Sequence, residues 1–233
     1  MREECDHVLS GRSPSAYGYA VVDLEATGSS SRRHRVIELA VVLLDREREP
    51  QGEFTTLVDP QGPVGPTHIH GIEPEHLGGA PRFAGIAVRL LGLLRGRVLV
   101  GHNVGCDRAF LTAEYARIGL RLPVVPELCT MRMAAARNGG SPGRYGLSLR
   151  ACAAEAGFTD WSPHTALGDA RATAALFTRY AAEGPDFGAQ LATAAALRWP
   201  EPAGLLAAAD ALWTGRSNDS ARRSVPGARP EHA

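Results

Sequence analysis

The run "VIELAVVLLD", Val36–Asp45, constrains the fold of this chain more than any other stretch. It falls far short of the ~20 apolar residues that a membrane-spanning helix needs. Its branched side chains suit a pleated strand. Similar runs stand on either side of it, at Tyr19–Leu24 and Glu53–Val58, across the polar stretches "SSSRRHR" and "REREPQG". Connections that short join antiparallel neighbours, because a parallel pair needs a crossover of a dozen or more residues. The first part of the chain therefore predicts an antiparallel unit of three strands.

The Pro/Gly-rich stretch "DPQGPVGPTHIHGIEP" follows and reads as a long loop. Beyond it the apolar period lengthens. "RFAGIAVRLLGLLRG" places Phe83, Ile86, Leu90, Leu93 and Leu94 on one helical face. "RVLVGHN" reads as a short buried strand, and a helix is predicted from Asp107 to Ile118. "LPVVPELC" reads as another strand, which Pro126 keeps short or at an edge. Further helices are predicted over Thr130–Ala136, Ser148–Ala156 and Ala166–Ala182, with "RNGGSPGRYG" as a flexible loop between the first two. Antiparallel strands followed by strand–helix alternation specify an α/β domain around a mixed sheet. Residues 1–16 read as a flexible leader and 17–183 as the domain. Residues 184–214 carry two Ala-rich helical segments, Phe187–Trp199 and Ala203–Trp213, and 215–233 read as a disordered tail.

Composition narrows the function classes. The net charge is zero and the hydrophobic share 44%, so the chain is globular and no global field draws it to nucleic acid or membrane. All 25 basic residues are arginine, a compositional habit without functional content. Cys5, Cys106, Cys129 and Cys152 are scattered and form no CxxC pair, which argues against a disulfide framework or zinc knuckle. The charged start "MREECDHVLSGRSPS" has no apolar signal segment. A cytoplasmic protein without membrane contact is expected.

The chemistry is concentrated where apolar elements meet loops. In "YAVVDLEATG", Asp23 and Glu25 stand two apart on a strand, so both point to one side. Two carboxylates that close repel unless a positive charge lies between them. In "VGHNVGCDRAFL" Asp107 falls in the first turn of a helix, and in "HTALGDARAT" His164 precedes Asp169 by five residues. An acid on a packed helix face is costly unless paired or metal-bound. Four carboxylates without clustered thiols suit hard cations with oxygen ligands, Mg²⁺ or Mn²⁺. A histidine beside them can take a proton from water near neutral pH. Together these groups describe metal-assisted phosphodiester hydrolysis, with two ions clamping the reacting phosphate.

"VVDLEATG", "GHNVGCDRAFL" and "HTALGDA" resemble, in order and spacing, the three motifs of the DEDDh 3′–5′ exonuclease family, which includes the proofreading epsilon subunits of bacterial DNA polymerase III. The resemblance spans about Tyr17–Tyr180 and implies a ribonuclease H-like fold. It also implies that Asp23, Glu25, Asp107 and Asp169 hold two divalent metals and that His164 is the general base. The substrate it implies is a nucleic-acid 3′ end, with DNA favoured and an RNA-directed activity as the alternative. A non-catalytic binding protein with this fold is a further alternative. "THIHGIEPEHL" resembles the family's His-Gly-Ile stretch, which implies that His70 and Ile72 line the nucleotide site. Leu24, Thr27 and Gly28 would complete it, with Thr27 as the candidate for a sugar contact.

Two positions depart from the pattern: Ala26 replaces a common threonine, and Cys106 stands where an aromatic is common. The second puts a stacking contact in doubt but removes no metal ligand. His102 and Asn103 either fix the turn after the strand or touch the nucleotide. Phe110 either packs against the site wall or stacks on a base. The cluster Arg32, Arg33, His34 and Arg35 is a solvated turn or a phosphate contact, and Arg144 is read the same way. "HIH" at 68–70 lacks a third ligand for zinc. Since no basic track is evident, either short substrates or a partner such as a DNA polymerase subunit that presents the 3′ end is expected.

Overall fold

The computed structural model describes residues 18–139, 146–158, 160–182, 184 and 186–199. The predicted leader, Arg144 with most of its Gly-rich loop, the second Ala-rich segment and the tail lie outside the described residues. β1 (Tyr19–Ala26), β2 (Val36–Leu44) and β3 (Pro50–Leu57) form an antiparallel meander, as their connecting lengths require. β4 (Val98–Gly101) pairs parallel to β1, and β5 (Glu127–Cys129) parallel to β4. The sheet order is β3-β2-β1-β4-β5. β5 is shorter than "LPVVPELC" suggested, since Pro123 and Pro126 have no N–H to give. Pro126 contributes only its carbonyl, which accepts from Leu99 N at 2.9 Å.

Alternation along β1 divides the core. Ala20 and Val22 join a cluster with Phe83, Ile86, Leu90 and Leu94 of α2 (Phe83–Leu94) and Leu111 and Tyr115 of α3 (Gly105–Arg117). Tyr19 and Val21 face α6 (Ala166–Ala182) on the other side, with Ala170, Ala174 and Phe177. Tyr19 meets Phe177 edge-on with centroids 4.7 Å apart, a contact worth about 1 kcal/mol beyond its area. Alanines on α6 let the helix lie close to the sheet. α4 (Thr130–Arg137) and α5 (Leu149–Glu155) pack beside α6 through Ala134, Cys152 and Leu176. The first Ala-rich segment forms α7 (Gly188–Ala196), whose Leu191 and Ala194 extend the α6-side core. The stretch predicted as wholly irregular loop contains one helical turn, α1 (Thr67–His70), and a 3₁₀ turn at Pro74–Leu77. Both are too short to show an amphipathic period. Among the described residues no helix is long and apolar enough to cross a membrane.

β1 and β4 differ in length, and that difference makes room for a site. β4 pairs with β1 only over Tyr19–Val21, then turns away after Gly101, while β1 runs on to Ala26. Residues 23–25 therefore have β2 on one side and no strand on the other. Their open flank lies at the carboxyl ends of two parallel strands, where α/β sheets place their ligands.

Candidate active site

Asp23 and Glu25 continue the face of β1 that carries Tyr19 and Val21, so both point toward the α6 side. Asp107 lies in the first turn of α3, only 7% exposed. Asp169 lies in the first turn of α6, where the helix dipole favours an acid. Glu25, His164 and Asp169 bring one potential ligand atom each within 4.8 Å of one another. Asp23 and Asp107 lie outside that trio and are coupled to it by charge.

The electrostatics are those of acids crowded together, with only carboxylates among the charges that act on them. Burial pushes the Asp23 carboxyl well above the usual carboxylate range, and the charges of Asp107, Asp169, Glu25 and Glu38 push it further. Burial, then Asp169 and Glu38, raise Glu25 to about 7. Burial lifts Asp107 to about 8 against an opposing backbone hydrogen bond, with Glu25 adding to the rise. Such a set is costly as it stands and becomes favourable around divalent cations. The donors are carboxylate oxygens with one imidazole, which fits Mg²⁺ or Mn²⁺.

Asp169 is held from both sides. The Trp161 indole N–H donates to its Oδ1 at 2.8 Å, and the backbone N–H of His164 donates to its Oδ2 at 3.1 Å. His164 has a left-handed backbone, φ 62°, and an exposed side chain. Glu38, the cross-strand partner of Glu25, accepts from the Ala166 N–H at 2.8 Å and so caps α6 from β2. A Cβ on Gly168 would lie 2.2 Å from the Ser162 carbonyl oxygen, so only glycine permits this close turn before Asp169. Sequence reasoning missed Glu38 and Trp161. Glu38 is signalled by being the one charge inside an otherwise apolar strand, and Trp161 by an aromatic set in a polar loop.

The remaining candidates fall into four groups. Thr27 and Gly28 belong to the β1–β2 turn. The Thr27 Oγ1 accepts from Arg35 N at 3.0 Å, and a Cβ on Gly28 would lie 2.7 Å from the His34 ring. Arg32 and Arg33 are exposed on that turn. Leu24 points to the opposite face from Asp23 and packs against the α2-side core, and Phe110 is buried in the same core.

His102 and Asn103 form the turn after β4. His102 sets Nε2 2.8 Å from the Leu147 carbonyl and Nδ1 2.9 Å from Thr130 Oγ1. A carbonyl only accepts, so Nε2 carries the proton; burial lowers the ring's pKa, so Nδ1 accepts from the Thr130 hydroxyl. The ring thus ties β4 to α4 and the start of α5. Asn103 is exposed with φ 65°, and its amide donates to Cys106 Sγ at 3.1 Å. His70 and Ile72 are buried beside each other, the Ile72 N–H donating to His70 Nδ1 at 3.0 Å. Burial depresses the His70 pKa, which keeps the ring neutral.

The chain belongs to the exonuclease family, whose RNase T model matches residues 20–177. The DNA polymerase III epsilon subunit of Treponema pallidum is 32% identical over 163 residues, which cover 69% of this chain and 74% of that protein. The Aquifex aeolicus epsilon subunit is 33% identical over 180 residues, 75% of this chain and 82% of its own. An epsilon-like protein of Rhodobacter capsulatus is 34% identical over 167 residues, but these are 69% of this chain and 23% of that longer protein. The chain thus spans less than a quarter of one curated relative and about three-quarters or more of the other two.

Solved structures share the fold at low identity. The nuclease domain of 3′hExo, a DEDDh member bound to rAMP, superposes with a TM-score of 0.62 at 19% identity, over 82% of this chain and 99% of that one. E. coli exonuclease I in complex with a dT13 oligonucleotide gives a TM-score of 0.60 at 19% identity, over 69% and 40%. The mixed sheet of three antiparallel and two parallel strands is thus ribonuclease H-like.

Proposed function

We propose that this protein is a divalent-metal-dependent exonuclease that removes nucleotides from single-stranded or frayed DNA 3′ ends as 5′-monophosphates. The observation that carries the reading is the grouping of Glu25, His164 and Asp169 ligand atoms within 4.8 Å of one another, with Asp23 and Asp107 linked to them by charge and Asp23, Glu25 and Asp107 raised in pKa. Two ions, Mg²⁺ or Mn²⁺, held by the four carboxylates would activate water and neutralise charge on the scissile phosphate. The Asp169–His164 hydrogen bond keeps the imidazole at the edge of the acid cluster, exposed to solvent. There His164 accepts the proton of the attacking water; a P–O bond forms, and the bond to the 3′ oxygen of the preceding nucleotide breaks. That oxygen leaves with a proton from solvent.

DNA is favoured over RNA by the epsilon relatives, which match at 32–33% identity over most of their own length. A polymerase subunit that presents the 3′ end would supply what a chain of zero net charge lacks. Matched 5′-labelled DNA and RNA oligonucleotides, digested with Mg²⁺ and with Mn²⁺, test the assignment. The expected result is a ladder shortening from the 3′ end, at least tenfold faster on DNA. Faster loss of RNA would make the protein an RNA-trimming member of the family, and shortening of neither strand would make it a binding protein.

A further inference from the structure

We infer that Trp161 is a positioning residue for the acid Asp169 and, through it, for His164. The inference rests on the metal site proposed above. Asp169 sits on the outer turn of α6, where an unrestrained aspartate samples several rotamers. Here its two oxygens have different donors: Oδ1 takes the Trp161 indole N–H at 2.8 Å, and Oδ2 takes the His164 backbone N–H at 3.1 Å. Each oxygen keeps a second lone pair for a cation, so the donors orient the carboxylate without consuming it. Indole only donates, so this bond fixes which carboxylate oxygen faces Trp161.

The loop that carries Trp161 is itself pinned. Thr165 Oγ1 donates to the Ser162 carbonyl at 2.8 Å and accepts from Gly168 N at 3.2 Å. Glu38 fixes the Ala166 N–H from the neighbouring strand. His164 is held between these anchors in a left-handed conformation that a non-glycine residue adopts only under constraint. Trp161 also lines an open cleft of about 390 Å³ together with Phe158, Ser162, Leu167, Arg171 and Ala175. An outer residue that orients a ligand through one hydrogen bond typically changes metal affinity by about 10–100-fold.

The test is calorimetric titration of the full chain with MnCl₂ in the absence of nucleic acid, on wild type, Trp161→Phe and Trp161→Gln. Phenylalanine keeps a ring without the N–H; glutamine restores an N–H without the ring. Trp161→Phe should bind Mn²⁺ about tenfold more weakly or worse, and Trp161→Gln should recover most of that loss. Turnover should fall with Mn²⁺ affinity while the KM for the oligonucleotide stays within about twofold. In parallel, Mn²⁺ should quench wild-type tryptophan emission, and the quenching should be absent in Trp161→Phe. Unchanged Mn²⁺ affinity in Trp161→Phe, or equal loss in both variants, overturns the positioning role. Asp107→Asn reads the metal site separately. If it loses Mn²⁺ while Trp161→Phe does not, only the role of Trp161 is wrong. If neither variant loses Mn²⁺, the site itself is misassigned.

Discussion

Two sets of buried acids in this molecule are treated in opposite ways. Glu114 on α3 is fully buried, yet every part of its carboxylate is answered. Arg35 grips both oxygens, Nε at 2.8 Å and a terminal nitrogen at 3.0 Å, while Arg117 approaches at 3.1 Å and the Val36 N–H donates at 3.2 Å. Seven residues earlier on the same helix, Asp107 is almost as buried and faces other carboxylates instead. The first acid locks β2 and the β1–β2 turn against α3. The second contributes repulsion that protonation or a bound cation relieves. Burial of a charge alone therefore says little about function, and the partner decides it.

Substitutions at the two acids should separate cleanly. Asp107→Asn should cut nuclease turnover by about 10³-fold or more, because it deletes a charge that the transition state needs. The same change should raise the melting temperature of the metal-free protein at pH 8.5 by a few degrees, since it relieves repulsion. A thermal melt in EDTA beside a turnover assay checks both, and a loss of stability in Asp107→Asn would refute the contrast. Glu114→Gln should do the reverse. It should cost about 2–4 kcal/mol of stability by stranding Arg35, as read by urea unfolding, while folded protein keeps most of its turnover.

The pH dependence follows from the same contrast. Asp23, Glu25 and Asp107 have folded pKa values above their unfolded ones, Glu25 at about 7 and Asp107 at about 8. Between about pH 4 and pH 8 the native state therefore binds more protons than the unfolded chain, and stability falls as pH rises. Melts of the metal-free protein should drop by roughly 5 °C or more from pH 5 to pH 8, and saturating Mn²⁺ should remove most of the drop. A flat metal-free profile would mean that the acids are not crowded. The smallest effect is expected at the exposed Glu53–Arg171 pair. Glu53→Gln should change stability by less than about 0.5 kcal/mol, as solvent-screened bridges do.

The two sets also differ in how much of them the sequence exposed. Asp23, Glu25, Asp107, Asp169 and His164 stood out because residues at strand and helix ends leave short local motifs. Their spacing along one element is dictated by strand alternation or by a helical first turn. Arg35–Glu114 could not be found, since its members are 79 residues apart and each looks like an ordinary surface charge. The same long-range pairing hid Glu38, whose partner Ala166 lies 128 residues away. The antiparallel pairing of β1, β2 and β3 was legible because short loops decide it, whereas the extent of β5 was not, because two prolines removed its donors. His102 remained ambiguous for a comparable reason: Leu147, which receives its proton, sits 45 residues along the chain.

Calorimetric titration of wild-type protein with Mn²⁺ at pH 7, repeated in buffers of different ionisation enthalpy, tests the central claim most directly. The claim is that the acid cluster on the open flank of β1 is built around divalent cations. Binding of two ions per chain is expected, with release of at least part of a proton as Glu25 and Asp107 ionise, and Asp107→Asn should abolish the tighter event. Mn²⁺ binding that is absent, releases no proton, or survives Asp107→Asn unchanged would contradict the account.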